Sequence, residues 1–168
     1  MGCFALPQPR IQRSVCMAET TALNLYRSCR VEQFPDGVMI DDEPAPGVLH
    51  PDFYDRPLPN GDVREADIQV YLVKDVEWVG TGQGTSLFDR AGVFTRPGWL
   101  SFPIPEGTPI PDSLIVANTG YNKRLKATHY QIEARAPMRK DAMEGALENF
   151  ARSAVARSVE LSRRGVKA

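Results

Sequence analysis

The chain has 168 residues, 42% hydrophobic and 24% charged, a size and composition that suit one soluble globular domain able to bury a core. Lys and Arg number 20 against 21 Asp and Glu, a net charge of −1. No nucleic-acid binder is indicated by a basic excess, although a local basic patch stays open. No apolar run reaches the roughly 18 residues of a membrane helix, so no membrane partner is indicated. The three cysteines, Cys3, Cys16 and Cys29, are odd in number and lack CxxC spacing, and His50 and His129 are the only histidines. That set supplies neither a disulfide framework nor a metal site, and it points to a reducing compartment.

Residues 1–16 carry Arg10, Arg13, two prolines and no acidic residue, and they lack the apolar core of a secretory signal. Met1-Gly2-Cys3 opens like an acylation signal, but Leu6 stands where that pattern wants Ser or Thr, which argues against a lipid anchor. The segment reads as a disordered N-terminal extension, and residues 17–168, opened by Met17, as the folded domain.

Alternation over Thr21–Cys29 predicts a strand, with Leu23 and Leu25 on one face and Asn24 and Tyr26 on the other. Arg27 falls on the leucine face, where a charge calls for an anionic partner or a strand end. Six prolines across 31–66 and the acidic turn Asp41-Asp42-Glu43 predict irregular backbone, of the kind that forms lids, with His50, Pro51 and Phe53 pinned by packing. Ile68–Val73 reads as a strand. Gly80, Gly82 and Gly84 then mark a sharp turn or a close approach, followed by Thr85, Ser86 and an apolar pair. Trp99–Ile104, Leu114–Val116 and Thr128–Arg135 read as further strands, the last two joined by Asn118-Thr119-Gly120 and the basic loop 123–126. After Pro137, Met143, Leu147, Phe150, Ala154 and Leu161 form one helical stripe. Strands, loops and one long C-terminal helix in one domain make an α+β class.

Singly, these features are bland. Gly82–Ser86 is neither a dinucleotide fingerprint nor a P-loop and reads as a plain turn. Arg27 reads as a surface strand arginine, and His129 as a solvated histidine. In combination they match a known order: ADP-ribosyltransferases of the arginine–serine–glutamate type place an Arg late on the first strand, a small-hydroxyl motif on a middle strand and a Glu on a later one. Tyr26-Arg27, Gly84-Thr85-Ser86 and Glu133 follow that order. The chemistry supplies a reason. An Arg holds the pyrophosphate of NAD, hydroxyls position its nicotinamide side, and a carboxylate steadies the cationic ribose as nicotinamide leaves.

Longer strings sharpen the likeness. LNLYR (23–27), LHP (49–51), GTSLFDRAGVF (84–94), IPEGTPIP (104–111), YNKRLKATHY (121–130) and PMRKDAMEGALENFARSAVAR (137–157) resemble the "type six exported two" family of type VI secretion effectors over roughly residues 21–165. The resemblance implies an ADP-ribosyltransferase-like domain of two packed, antiparallel-rich sheets around an NAD-sized cleft, with NAD as substrate. It implies a toxin acting in the cytoplasm of a target cell, an unidentified macromolecular target, and an immunity protein covering the cleft in producing cells. It points to Thr85 and Ser86, with Arg64 and His129 as further cleft residues; a glutamate at position 133 is not part of it. The expected catalytic set is therefore Thr85, Ser86, His129 and Glu133. Tyr26, Arg27, Arg64, Gly84, Thr85 and Ser86 are expected to bind NAD. The expected chemistry is ADP-ribose transfer or NAD hydrolysis, and a toxin that binds and blocks a host factor without chemistry is the alternative.

Overall fold

The computed structural model describes residues 19–165; the N-terminal extension expected at 1–16 lies outside them. Among the described residues, twelve strands precede one helix. Strand β1 is Leu25–Arg30, followed by the short pairs β2 (Met39–Ile40) with β3 (Glu43–Pro44) and β4 (Arg56–Pro57) with β5 (Val63–Arg64). Next come β6 (Val70–Val73), β7 (Val76–Val79), β8 (Gly84–Phe88), β9 (Trp99–Ile104), β10 (Leu114–Asn122), β11 (Ala127–Ala134), β12 (Met138–Arg139) and helix α1 (Lys140–Arg163). The main sheet has the order β10-β11-β8-β1-β9 and the smaller one β12-β7-β6. Every pairing is antiparallel, so the α+β architecture of two antiparallel sheets with a C-terminal helix is the one expected.

Strand alternation sends Leu25, Phe102, Ile104, Leu87, Ile132 and Ala134 inward, each 1% exposed or less. Against them α1 lays Met143, Leu147, Phe150 and Ala154, all at 0%. Leu161 at the far end of the stripe is only half-buried.

Four elements differ from the sequence reading. The proline-rich stretch is not wholly irregular: it holds the β2–β3 and β4–β5 hairpins. Asp41 and Asp42 form the turn of the first with φ of 50° and 64°, as a tight hairpin requires. β7 is a second arm that folds back on β6 through Lys74 and Asp75, at φ 48° and 62°. The segment after the glycine turn is a full strand, β8, not a turn with an apolar tail. β10 runs through Asn118-Thr119-Gly120 as a bulge, with Asn118 opposite Tyr130 and Gly120 opposite His129, and turns only at the basic loop.

Gly84 has a strict structural reason. A Cβ there would lie 1.9 Å from the Ile132 carbonyl oxygen, so only glycine lets β8 and β11 approach.

Candidate active site

Strands β1 and β8 are neighbours in the main sheet but share one register pair, Tyr26 with Phe88. Beyond it they part. Arg27 sits on the core face of β1, between Leu25 and Cys29 and opposite Phe102. Its guanidinium enters the gap, where Nη1 donates to the Ser86 carbonyl at 3.2 Å and Nη2 to the His50 carbonyl at 3.3 Å. Its partners among the described residues are thus two carbonyl dipoles, not an anionic group.

The segment Val48–His50 lines the same gap, and its three consecutive carbonyls are satisfied by side chains of β1 and β8. Cys29 Sγ donates to Val48 O at 3.8 Å, Thr85 Oγ1 to Leu49 O at 2.6 Å, and Arg27 to His50 O. Glu148 of α1 anchors the segment: its Oε1 accepts the Gly47 N–H at 2.7 Å and lies 3.1 Å from His50 Nε2, the latter without hydrogen-bond geometry. Burial pushes the Cys29 thiol up to about 11, against a smaller opposing pull from Arg27. It is a packing group rather than a nucleophile.

A cleft of about 440 Å³ opens at the split, within the usual range of ligand pockets, roughly 300–1,000 Å³. Arg27, Arg30, Arg56 and Arg64 line it with Ser86, and Phe88, Phe94 and Trp99 form an aromatic wall. Phe94 stacks on Trp99 at 4.3 Å, Arg30 lies 5.1 Å from the Trp99 ring centre, and Phe88 meets Phe94 edge-on at 6.0 Å. Asp52 and Asp67 also line the cleft. Arg64 donates to Asp52 at 2.7 Å and to Asp67 at 3.0 Å, and these bonds, the Asp52 bond foremost, hold its pKa above the usual arginine value. Arg56 Nε is buried without a hydrogen bond, 3.7 Å from Asp52 Oδ2. Four guanidinium groups face two carboxylates, and one buried donor makes no hydrogen bond. Such a surface fits a ligand bearing two phosphate charges.

The sequence-predicted residues divide. Arg27, Arg64 and Ser86 meet in the cleft. Thr85 does not: it is 0% exposed and spends its hydroxyl on Leu49. Gly84 serves the β8–β11 approach. Tyr26 and His129 flank Phe88, each its register partner, and His129 meets the Phe88 ring edge-on at 5.2 Å. His129 Nδ1 is hydrogen-bonded to Thr119 Oγ1, and burial lowers its pKa. Glu133 pairs with Gly84, on the face of the sheet that carries Ser86 and Gln131. Its carboxylate accepts from Gly82 N at 3.1 Å and from Gln131 Nε2 at 3.2 Å, outside the residues lining the cleft.

Sequence reasoning missed Arg30, Arg56, the two aspartates and the aromatic wall. The available signal was the charge set Asp52, Arg56 and Arg64 within the 31–66 segment marked as an irregular lid, with Asp67 just beyond it. Trp99 and Phe94 carried none, because an aromatic at a strand start or in a connecting loop reads equally well as core.

The sequence model of the family described as "Tse2 ADP-ribosyltransferase toxin" matches residues 18–159. Toxin Tse2 of Pseudomonas aeruginosa is 37% identical over 154 residues, covering 86% of this chain and 96% of that protein. A family match across residues 18–159, with a relative 37% identical over most of both chains, places this chain in the Tse2 ADP-ribosyltransferase toxin family.

Proposed function

We propose that the chain is a cytotoxin of the target-cell cytoplasm that takes NAD into the cleft at the β1/β8 split and cleaves its nicotinamide–ribose bond, passing ADP-ribose to an acceptor. The observation that carries this is the cleft itself: four arginines, one with a buried Nε that makes no hydrogen bond, opposite a wall of three aromatic rings. NAD supplies the scissile glycosidic bond and the pyrophosphate that anchors it. Arg27, held by two carbonyls in the gap, and Arg56 bind phosphate oxygens. The Asp52–Arg64–Asp67 cluster keeps Arg64 extended along the cleft. Ser86 Oγ makes no hydrogen bond among the described residues and orients the nicotinamide-side ribose. The aromatic wall excludes water and offers a flat surface to a heterocycle. Glu133, on the sheet face of Ser86, is the carboxylate assigned to the developing ribosyl cation, and His129 sets the position of Phe88.

In producing cells an immunity protein would act by capping this cleft. Arg27→Lys tests the reading. It keeps the charge but loses the planar fork, so NAD binding should weaken by about 1–3 kcal/mol. Calorimetric titration of NAD into both proteins checks it. Equal affinities would remove Arg27 from the site, and a wild type that binds no NAD would favour a toxin that blocks a host factor.

A further inference from the structure

A second cavity, of about 480 Å³, adjoins the cleft and shares Arg30, Phe94 and Trp99 with it. Its other charged lining is Arg90, Arg96, Arg124 and Lys126. No carboxylate lines it. Among the described residues none of its five cations forms an ion pair, whereas Arg64, Arg135, Arg139, Lys140, Arg157 and Arg164 all do. The five arrive from three places: the end of β1, the loop between β8 and β9, and the β10–β11 turn. They are held together by structure rather than by counter-charge. Arg90 Nη2 donates to the Leu125 carbonyl at 2.7 Å, which ties two of those loops, and Arg30 rests by Trp99. Like charges gathered in this way repel one another until an anion is seated among them.

We propose that this cavity binds the phosphate backbone of a single-stranded nucleic acid and sets it beside the cleft. Four of the five cations are arginines, whose fork matches phosphate oxygens. The shared Phe94–Trp99 wall gives bases a surface to stack on, which an acidic peptide would not use. The net charge of −1 conceals the patch, because the balancing carboxylates lie elsewhere on the molecule. That the bound strand accepts ADP-ribose rests on the reading of the cleft given above; that it binds does not.

The test is fluorescence anisotropy of labelled single-stranded RNA and DNA of about ten nucleotides with the full chain, alongside a separate NAD titration. Binding should fall steeply between about 50 and 200 mM salt. Arg96→Ala and Arg124→Ala should each weaken it about tenfold at the low end of that range and flatten the log–log salt slope by about one, with NAD affinity unchanged. Arg152→Ala is the control: it removes an exposed arginine on α1 that bonds only to Asn149 among the described residues, outside both cavities, and should leave both titrations alone. The proposal is overturned if the wild type binds no oligonucleotide at low salt, or if the cavity variants behave like Arg152→Ala. It is also overturned if a polyglutamate peptide of equal length displaces the strand as well as unlabelled oligonucleotide does, which would make the cavity a seat for an acidic protein segment. A wild type that binds the strand but not NAD would overturn the reading of the cleft and leave the docking site standing.

Discussion

The hydroxyl of Thr85 donates to Leu49 inside the core, while that of Ser86, one residue on, faces the cleft. Substitutions at the two positions should therefore separate stability from function. Thr85→Val keeps the volume but leaves the Leu49 carbonyl buried and unpaired, at a cost of about 1–3 kcal/mol in urea denaturation. Ser86→Ala should stay within about 0.5 kcal/mol of wild type while NAD turnover falls. At Glu133 the expected result is a split in the kinetics. Glu133→Gln should lower kcat by about 10²-fold, the scale of one lost transition-state electrostatic contact, with KM for NAD little changed. An unchanged kcat would pass the role to Asp52. His129 gives a pH signature. Its pKa is lowered in the fold by burial, so the folded chain favours neutral imidazole. Its stabilisation is fully present above the ordinary value of 6.5 and is lost as pH falls through the lower folded value. His129→Gln should flatten the fall in melting temperature across that window, which thermal scans at stepped pH would read.

Among the elements, the glycine turn and β8 make the clearest contrast. Gly84→Ala drives a Cβ into the Ile132 carbonyl and should cost about 3 kcal/mol, at the upper end of overpacking. Gly82→Ala has open space but a φ of +79° and should cost only about 1 kcal/mol. Chemical denaturation of both variants checks the order. The same region shows where sequence reading stops. β9 and the buried face of α1 were legible because periods of 2 and 3.6 are written directly in their apolar residues. β8 was not, since four of its five residues are buried and no alternation survives. β7 was hidden behind a turn built on Lys74 and Asp75 rather than on Asn-Gly. In the cleft, Arg27 and Ser86 were legible from residue type and chain order. Arg30, Arg56 and the aromatic wall were not, because they meet only through the β1–β9 pairing and the fold of the proline-rich segment, long-range events with no local signal.

At the level of the whole molecule, charge is sorted rather than scarce. Arg135, Arg139, Lys140, Arg157 and Arg164 are matched by acidic neighbours, while the lining of the second cavity is not. No described helix is long and apolar enough to cross a membrane. The family match begins at residue 18, and we propose that residues 1–16 are an extension. Deleting them should leave the melting temperature and the growth arrest of susceptible cells nearly unchanged; a large drop in either would make them part of the working domain.

The three carbonyls of Val48–His50 that hold Arg27 and Thr85 in the split depend on Glu148, 101 residues beyond Gly47 and late in the chain. The cleft therefore joins an early strand, a middle strand and the last element. Non-local contacts of this kind form only after loop closure has been overcome. A nascent chain still threading through the ribosome can place β1, β8 and the proline-rich segment, but it lacks the carboxylate that fixes them until α1 emerges and docks. Under the proposed function, the cleft of a nascent chain stays unfinished until α1 has docked, and the demand for an inhibitor would begin there.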